Sequence, residues 1–160
     1  MKRFMLVLVM LSAVLLVLIG GACTPATETD PPISSGDMPG TAIAVEGGTY
    51  WRLSPAQFRT FTGGDSVFMV GVYDNYLGEF ANSDLVMSVD SVLGSLHLFP
   101  ADKDTHIAVY CASGYTSKTA AAILAKAGYT HVAELGGGMD AWERQGYTPL
   151  RITNPPATIA

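Results

Sequence analysis

Apolar and polar positions follow two rhythms along residues 50–145, and the chain switches between them several times. Tyr50–Leu53, Ser66–Val72, Ser95–Phe99, His106–Tyr110 and Val132–Leu135 are short apolar runs rich in β-branched or aromatic residues, which predicts strands. Helical signals lie between them. Ser54-Pro55-Ala56-Gln57 opens one helix, with Ser54 as N-cap, Pro55 at the first helical position and Gln57 closing a capping box. A short helix is predicted over Asp74–Phe80 and a longer one from Ser117 through the Ala-, Leu- and Lys-rich stretch Lys118–Ala127. Gly128 is its C-cap, and a last helix covers Met139–Gln145. The stretch Ala81–Asp90 has no clear period and reads as an inserted loop without an assignable role.

Strands alternating with helices require crossovers, hence an α/β fold with a central parallel sheet covered by helices on both faces. Ligands in such sheets bind beyond the carboxyl ends of the strands. Cys111 stands at one of those ends, directly after His106–Tyr110.

The flanks have a different composition. Met1-Lys2-Arg3, an apolar run from Phe4 to Ile19 and the small residues Gly20-Gly21-Ala22 are the parts of an export signal. Cys23 follows at once. Residues 24–48 are rich in Pro, Thr, Ser, Gly and Asp, and read as a tether that cannot bury enough apolar surface to order itself. The expected organisation is a signal over 1–22, an attachment point and tether over 23–48, one folded domain over 49–150 and a tail over 151–160. Every reading of the leader, whether cleaved, lipidated or kept as an anchor, places the remainder outside the cytoplasm.

Charge excludes a class of partner. The formal net charge of −5 becomes −7 once Lys2 and Arg3 leave with the signal (−5 − 2), and no basic stripe remains for nucleic acid. His97, His106 and His131 sit singly on or beside predicted strands with no second cysteine nearby, so no zinc spacing forms and each reads as structural. Trp142 and Tyr129 read as core or rim residues.

Cys111 carries the chemistry. A thiol between a strand and a helix faces unpaired backbone N–H groups and the positive end of the helix dipole, both of which favour thiolate over thiol. The competing readings are a buried inert cysteine and a disulfide with Cys23. N–H groups from Ala112 to Ser117 would form an anion cradle, and Gly114 lets the backbone turn inward. The Ser113, Thr116 and Ser117 hydroxyls are placed to donate to sulfur or substrate, or to serve only as turn and cap residues; Ser117 is a candidate N-cap. Tyr115 lies within the same loop. Lys118 is the cation nearest in sequence, either attracting an anion or standing as a solvated first-turn lysine.

This ordered set resembles the active-site half of rhodanese-homology domains, which read Cys-x-x-Gly-x-Thr/Arg/Ser, an Ala-rich helix, Gly-Tyr, a short strand, Gly-Gly and Ala-Trp. The matching residues are Cys111, Gly114, Thr116-Ser117, Ala120-Ala121-Ala122, Gly128-Tyr129, Val132–Leu135, Gly136-Gly137-Gly138 and Ala141-Trp142. Cys23 after its small-residue exit resembles the lipobox of bacterial lipoproteins, although Gly20 stands where that pattern prefers Leu. Together these resemblances imply a membrane-tethered sulfurtransferase with a rhodanese-like sandwich fold. A small sulfur-containing anion would donate sulfur to Cys111, and a thiol or cyanide would accept it. Neither cofactor nor metal is implied, and the lipid on Cys23 would supply the membrane contact.

Two departures qualify the resemblance. Many members carry Asp-Val-Arg after an early strand and Gly-His-Ile-Pro-Gly-Ala before the next. Here Gly71-Val72-Tyr73 and Asp90-Ser91-Val92-Leu93-Gly94-Ser95 stand in those places. A catalytically idle rhodanese-like binding module is therefore the alternative. Cysteine phosphatases of related fold use Cys-x5-Arg, whose Arg forks onto phosphate. Ser117 at that position argues against such chemistry.

Overall fold

The computed structural model describes residues 38–64, 66–73 and 79–148. The expected signal over 1–22, Cys23, the first part of the tether and the tail over 151–160 lie outside them. The short helix expected over 74–80 falls mostly outside as well; Glu79 and Phe80, which are described, are not helical.

A six-stranded sheet forms from β1 (Thr41–Val45), β2 (Gly48–Leu53), β3 (Val67–Val72), β4 (Leu85–Met87), β5 (His106–Tyr110) and β6 (Val132–Leu135) in the order β1-β2-β6-β5-β3-β4. The β1–β2 pair is antiparallel, and the pairings β2–β6, β6–β5, β5–β3 and β3–β4 are parallel. The fold is thus mixed α/β around a mostly parallel sheet. Helices α1 (Pro55–Thr62), α2 (Tyr115–Lys126) and α3 (Gly138–Arg144) cover it.

Strand side chains alternate between two cores, as a period of two requires. Ile107 and Val109 join Val70, Val72 and Val132 against Ala120, Ala121, Leu124 and Ala125 of α2. Ala108 and Tyr110 join Met69, Ala133 and Leu135 against Phe58 and Phe61 of α1 and Met139 and Trp142 of α3. Tyr129 is buried in the first core and Trp142 in the second. A sheet buried on both faces explains why Ile107–Tyr110 of β5 reads as a continuous apolar run and why β6 is apolar except at Glu134.

Helix ends follow sequence chemistry. Gln57 N–H donates to Ser54 Oγ at 3.3 Å and Ser54 N–H to Gln57 Oε1 at 3.0 Å, completing the capping box. At the end of α2, Gly128 N–H bonds Ala125 O at 3.0 Å and Tyr129 N–H bonds Leu124 O at 3.2 Å, a Schellman closure.

Four expectations are corrected. Residues 41–48, assigned to the tether, form β1 and the start of β2, because Ile43 and Val45 pack on the α2-side core while the hairpin satisfies the backbone. Ser95–Phe99 is not a strand. Leu96–Leu98 form a 3₁₀ turn with local bonds, Leu98 N–H to Ser95 O and Phe99 N–H to Leu96 O, in place of a ladder. The place beside β3 belongs to Leu85–Met87, inside the segment without period; three residues are too few to show one. The long helix begins at Tyr115 rather than Ser117, with Gly114 as its N-cap.

The histidines are not all separate. The rings of His106 and His131 lie 4.8 Å apart, and Phe61 stands edge-on to His106 at 5.6 Å. Burial lowers the pKa of His106, and His131 adds to the effect. The unfolded chain therefore takes up this proton near the ordinary 6.5 while the folded chain resists. Stability is full above that value and falls as pH drops through it toward the folded pKa. The melting temperature is expected to decline between neutral pH and about pH 5, and less steeply in His106→Gln; equal slopes would remove His106 as the cause.

Candidate active site

The site is built where β5 ends and α2 begins. Cys111 is only 2 % exposed. Its sulfur accepts N–H from Gly114 at 3.1 Å and from Ser117 at 3.4 Å, so the first turn of α2 points its free donors at Sγ. Gly114 has φ +84°, and a Cβ there would lie 2.9 Å from Gly137 N, so the turn that aims its N–H requires glycine. Cys111 is a free thiol.

The loop is held from outside by α3. Met139 N–H donates to Cys111 O and Asp140 N–H to Ala112 O, each at 2.9 Å. Thr116 Oγ1 donates to Val72 O at 2.7 Å, tying the loop to the end of β3. Ser117, expected as a possible cap, instead lies inside the helix at 0 % exposure, with Oγ 3.4 Å from the sulfur. Ala112 and Gly114 are half-buried, while Ser113 and Tyr115 are exposed. Lys118 Nζ sits 4.7 Å from the centre of the Tyr115 ring, a cation–π contact on the outer side of the helix.

Two residues join the site that the sequence reading did not select. Glu134 on β6 is 1 % exposed, and its Oε1 accepts the Ser117 hydroxyl at 3.2 Å. Arg52 on β2 pairs Nε with Glu134 Oε2 at 2.9 Å. Arg52 and Glu134 are direct neighbours in the β2–β6 register, so sheet topology brings them together across 82 positions. One signal was available: an acidic residue inside a strand expected to be buried on both faces needs a partner.

Burial of the sulfur opposes ionisation and is the largest single influence on Cys111. The Ser117 and Thr116 side chains and the Ser117 and Gly114 N–H groups outweigh it, leaving the thiol below its ordinary pKa. The arrangement can stabilise a sulfur anion, hence a thiolate nucleophile. Among the described residues, no group of three or more His, Cys, Asp or Glu could hold a metal ion.

Residues 73–145 match the family model of the rhodanese-like domain. A protein of Allochromatium vinosum named sulfurtransferase is 38% identical over 65 residues, which cover 38% of this chain and 61% of that protein. Among solved structures, a rhodanese-related protein of Thermoplasma volcanium superposes with a TM-score of 0.51 at 21% identity, over 61% of this chain and 94% of its own. The polysulfide-sulfur transferase of Wolinella succinogenes gives 0.52 at 20% identity, over 64% and 80%. The segment that matches the rhodanese-like domain, residues 73–145, holds the whole Cys111 loop, α2, β6 and α3.

Proposed function

We propose that the protein is a sulfurtransferase that moves a sulfane sulfur through a persulfide on Cys111. The observation that carries this reading is the sulfur of Cys111, buried and met by two backbone N–H groups at the head of α2. The Cys111 thiolate attacks the outer sulfur of thiosulfate, the S–S bond of the donor breaks, and sulfite leaves with the electron pair. Cys111 is left as a persulfide. A thiol or cyanide then attacks the terminal sulfur, taking it as a new persulfide or as thiocyanate and returning Cys111 as thiolate. Charge and atoms balance with one nucleophile and no external oxidant.

The natural donor is expected to differ from thiosulfate, which should bind weakly here. Where many rhodanese domains place an Arg after the early strand, Tyr73 stands here, buried, its hydroxyl 2.8 Å from Met139 Sδ. No cation enters from that position. The name of the Wolinella relative makes polysulfide the first alternative to test. This missing Arg also favours the second reading, an idle module that binds without transferring.

We also propose that residues 1–22 direct export, that Cys23 receives lipid, and that the chain works outside the cytoplasm on a bacterial membrane. Support comes from the basic start, the apolar run and the small residues before Cys23. Labelling with a fatty acid in cells, lost in Cys23→Ser, tests this.

The activity test is direct. The full chain is incubated with thiosulfate or with polysulfide, and the peptide carrying Cys111 is weighed by mass spectrometry. An added sulfur atom, removed by cyanide with release of thiocyanate, is expected. No added sulfur from either donor would leave the idle module as the better reading.

A further inference from the structure

We propose that Glu134, clamped by Arg52, holds the Ser117 proton away from Cys111 and thereby limits ionisation of the thiol. Glu134 is then a positioning residue that acts on sulfur through Ser117. The inference rests on the reading of Cys111 as the reacting thiol.

A hydroxyl has one hydrogen and two lone pairs. With the Arg52 salt bridge formed, the Glu134 carboxylate accepts at both oxygens: from Arg52 Nε at 2.9 Å and from Ser117 Oγ at 3.2 Å. The single Ser117 hydrogen is thus spent on Glu134. Toward the sulfur, 3.4 Å away, Ser117 offers a lone pair, which suits S–H as donor. A thiolate has no hydrogen to give. To meet one, Ser117 must turn its hydrogen to sulfur and leave Glu134 Oε1 without it, in surroundings where Ser117 is 0 % and Glu134 1 % exposed. An unsatisfied buried acceptor is costly. Carboxylate and thiolate therefore compete for one proton. Thr116 relieves the competition only in part, because its own hydrogen is held by Val72 O at 2.7 Å. The resting thiolate depends on the Gly114 and Ser117 N–H groups, and on the Ser117 and Thr116 hydroxyls only as far as their hydrogens leave Glu134 and Val72 O. The negative charge of Glu134, one hydroxyl away, acts in the same direction.

Other titratable or charged groups on the surrounding elements are Tyr50 and Arg52 on β2, Tyr73 after β3, His106 and Tyr110 on β5, Tyr115, Lys118 and Lys126 on α2, and Asp140, Glu143 and Arg144 on α3. Arg52 is hydrogen-bonded to the carboxylate, and Lys118 is stacked on Tyr115.

The substitution Glu134→Gln separates the two demands on Ser117. Arg52 Nε–H needs an acceptor, so the amide oxygen turns to Arg52 and the amide NH₂ turns to Ser117. Ser117 then accepts from the amide, and its hydrogen is released to sulfur. The thiol should ionise more readily, not less, although a buried polar contact has been altered.

The test follows the thiolate ultraviolet absorbance of the full chain against pH, with Cys111→Ser as the blank. The parent midpoint is expected below the free-cysteine value of about 8.5. Glu134→Gln is expected to lower it by a further unit or so, about tenfold more thiolate at a pH below both midpoints. In a Ser117→Ala background the same substitution should produce less than half that drop. An unchanged or raised midpoint in folded Glu134→Gln overturns the proposal. So does an equal drop in both backgrounds, since charge alone would then suffice. If Glu134→Gln does not fold, the parent carries the test through its infrared S–H stretch at a pH below the midpoint. That stretch should lie below the frequency of an alkanethiol in a non-bonding solvent; a stretch at the unbonded frequency means that S–H does not donate to Ser117. None of these readouts involves sulfur transfer. A chain that takes no sulfur but titrates as stated refutes the proposed function alone, and a chain that transfers sulfur without the shift refutes this inference alone.

Discussion

Cys111→Ser is expected to reduce sulfur transfer to background, a loss on the order of a thousandfold or more, because the nucleophile itself is removed. A serine hydroxyl ionises far less readily than a thiol and cannot carry a sulfane sulfur. The fold should persist. Serine is close to cysteine in size, and its oxygen can accept the Gly114 and Ser117 N–H groups that now reach Sγ at 3.1 and 3.4 Å. The loop remains braced by the Cys111 and Ala112 carbonyls on α3, which involve no side chain at position 111. A stability change within about 1–2 kcal/mol is expected for a polar swap of this size in a buried but hydrogen-bonded position. Thiocyanate formation from cyanide measures the activity, and thermal melting of the same samples measures the fold. Residual turnover near that of the parent, in a folded protein, would remove Cys111 from the mechanism.

The parts of this fold that the sequence revealed are those whose signal is local. Ser54, Pro55 and Gln57 set the start of α1 through bonds three residues apart. His106–Tyr110 and Val132–Leu135 are central strands, buried on both faces and mostly apolar, and their bounds match the runs read from the sequence. Edge elements gave weaker signals. Thr41–Val45 is largely exposed and lies beside Pro- and Gly-rich sequence, so its composition resembles that of the tether it follows. Leu96 and Leu98 alternate with polar neighbours as a strand would, yet a 3₁₀ turn places them on the α2-side core. In the site, Cys111, Gly114 and Ser117 were legible because six positions span the strand–helix junction. Arg52 and Glu134 were not, because nothing in sequence links β2 to β6 until the sheet order is known. The matched segment begins at residue 73 and omits Arg52, although the salt bridge carries it to the site.

Gly138→Ala is expected to damage both stability and activity, because it strikes the contact that fixes the Cys111 carbonyl. Gly138 has φ +61°, and a Cβ built there would lie 2.5 Å from both Cys111 O and Ala112 O. Neither oxygen can retreat easily. The first accepts Met139 N–H and the second Asp140 N–H, each at 2.9 Å, so moving them away breaks the bonds that dock α3 on the loop. Backbone strain and two disturbed hydrogen bonds together should cost about 2–4 kcal/mol. Well below the melting temperature, the surviving folded protein should still transfer sulfur at least tenfold more slowly, since misplacing a reacting group by about 1 Å can cost a hundredfold. Gly146→Ala separates clash from strain. Gly146 also has positive φ, +81°, but nothing lies within 4 Å of its added Cβ. It should lose only the left-handed penalty of about 1–2 kcal/mol and keep its activity. Denaturant melts and single-turnover sulfur transfer on the two variants make the comparison. If Gly138→Ala costs no more than Gly146→Ala in both, the approach of α3 to the Cys111 loop is not what holds the sulfur in place.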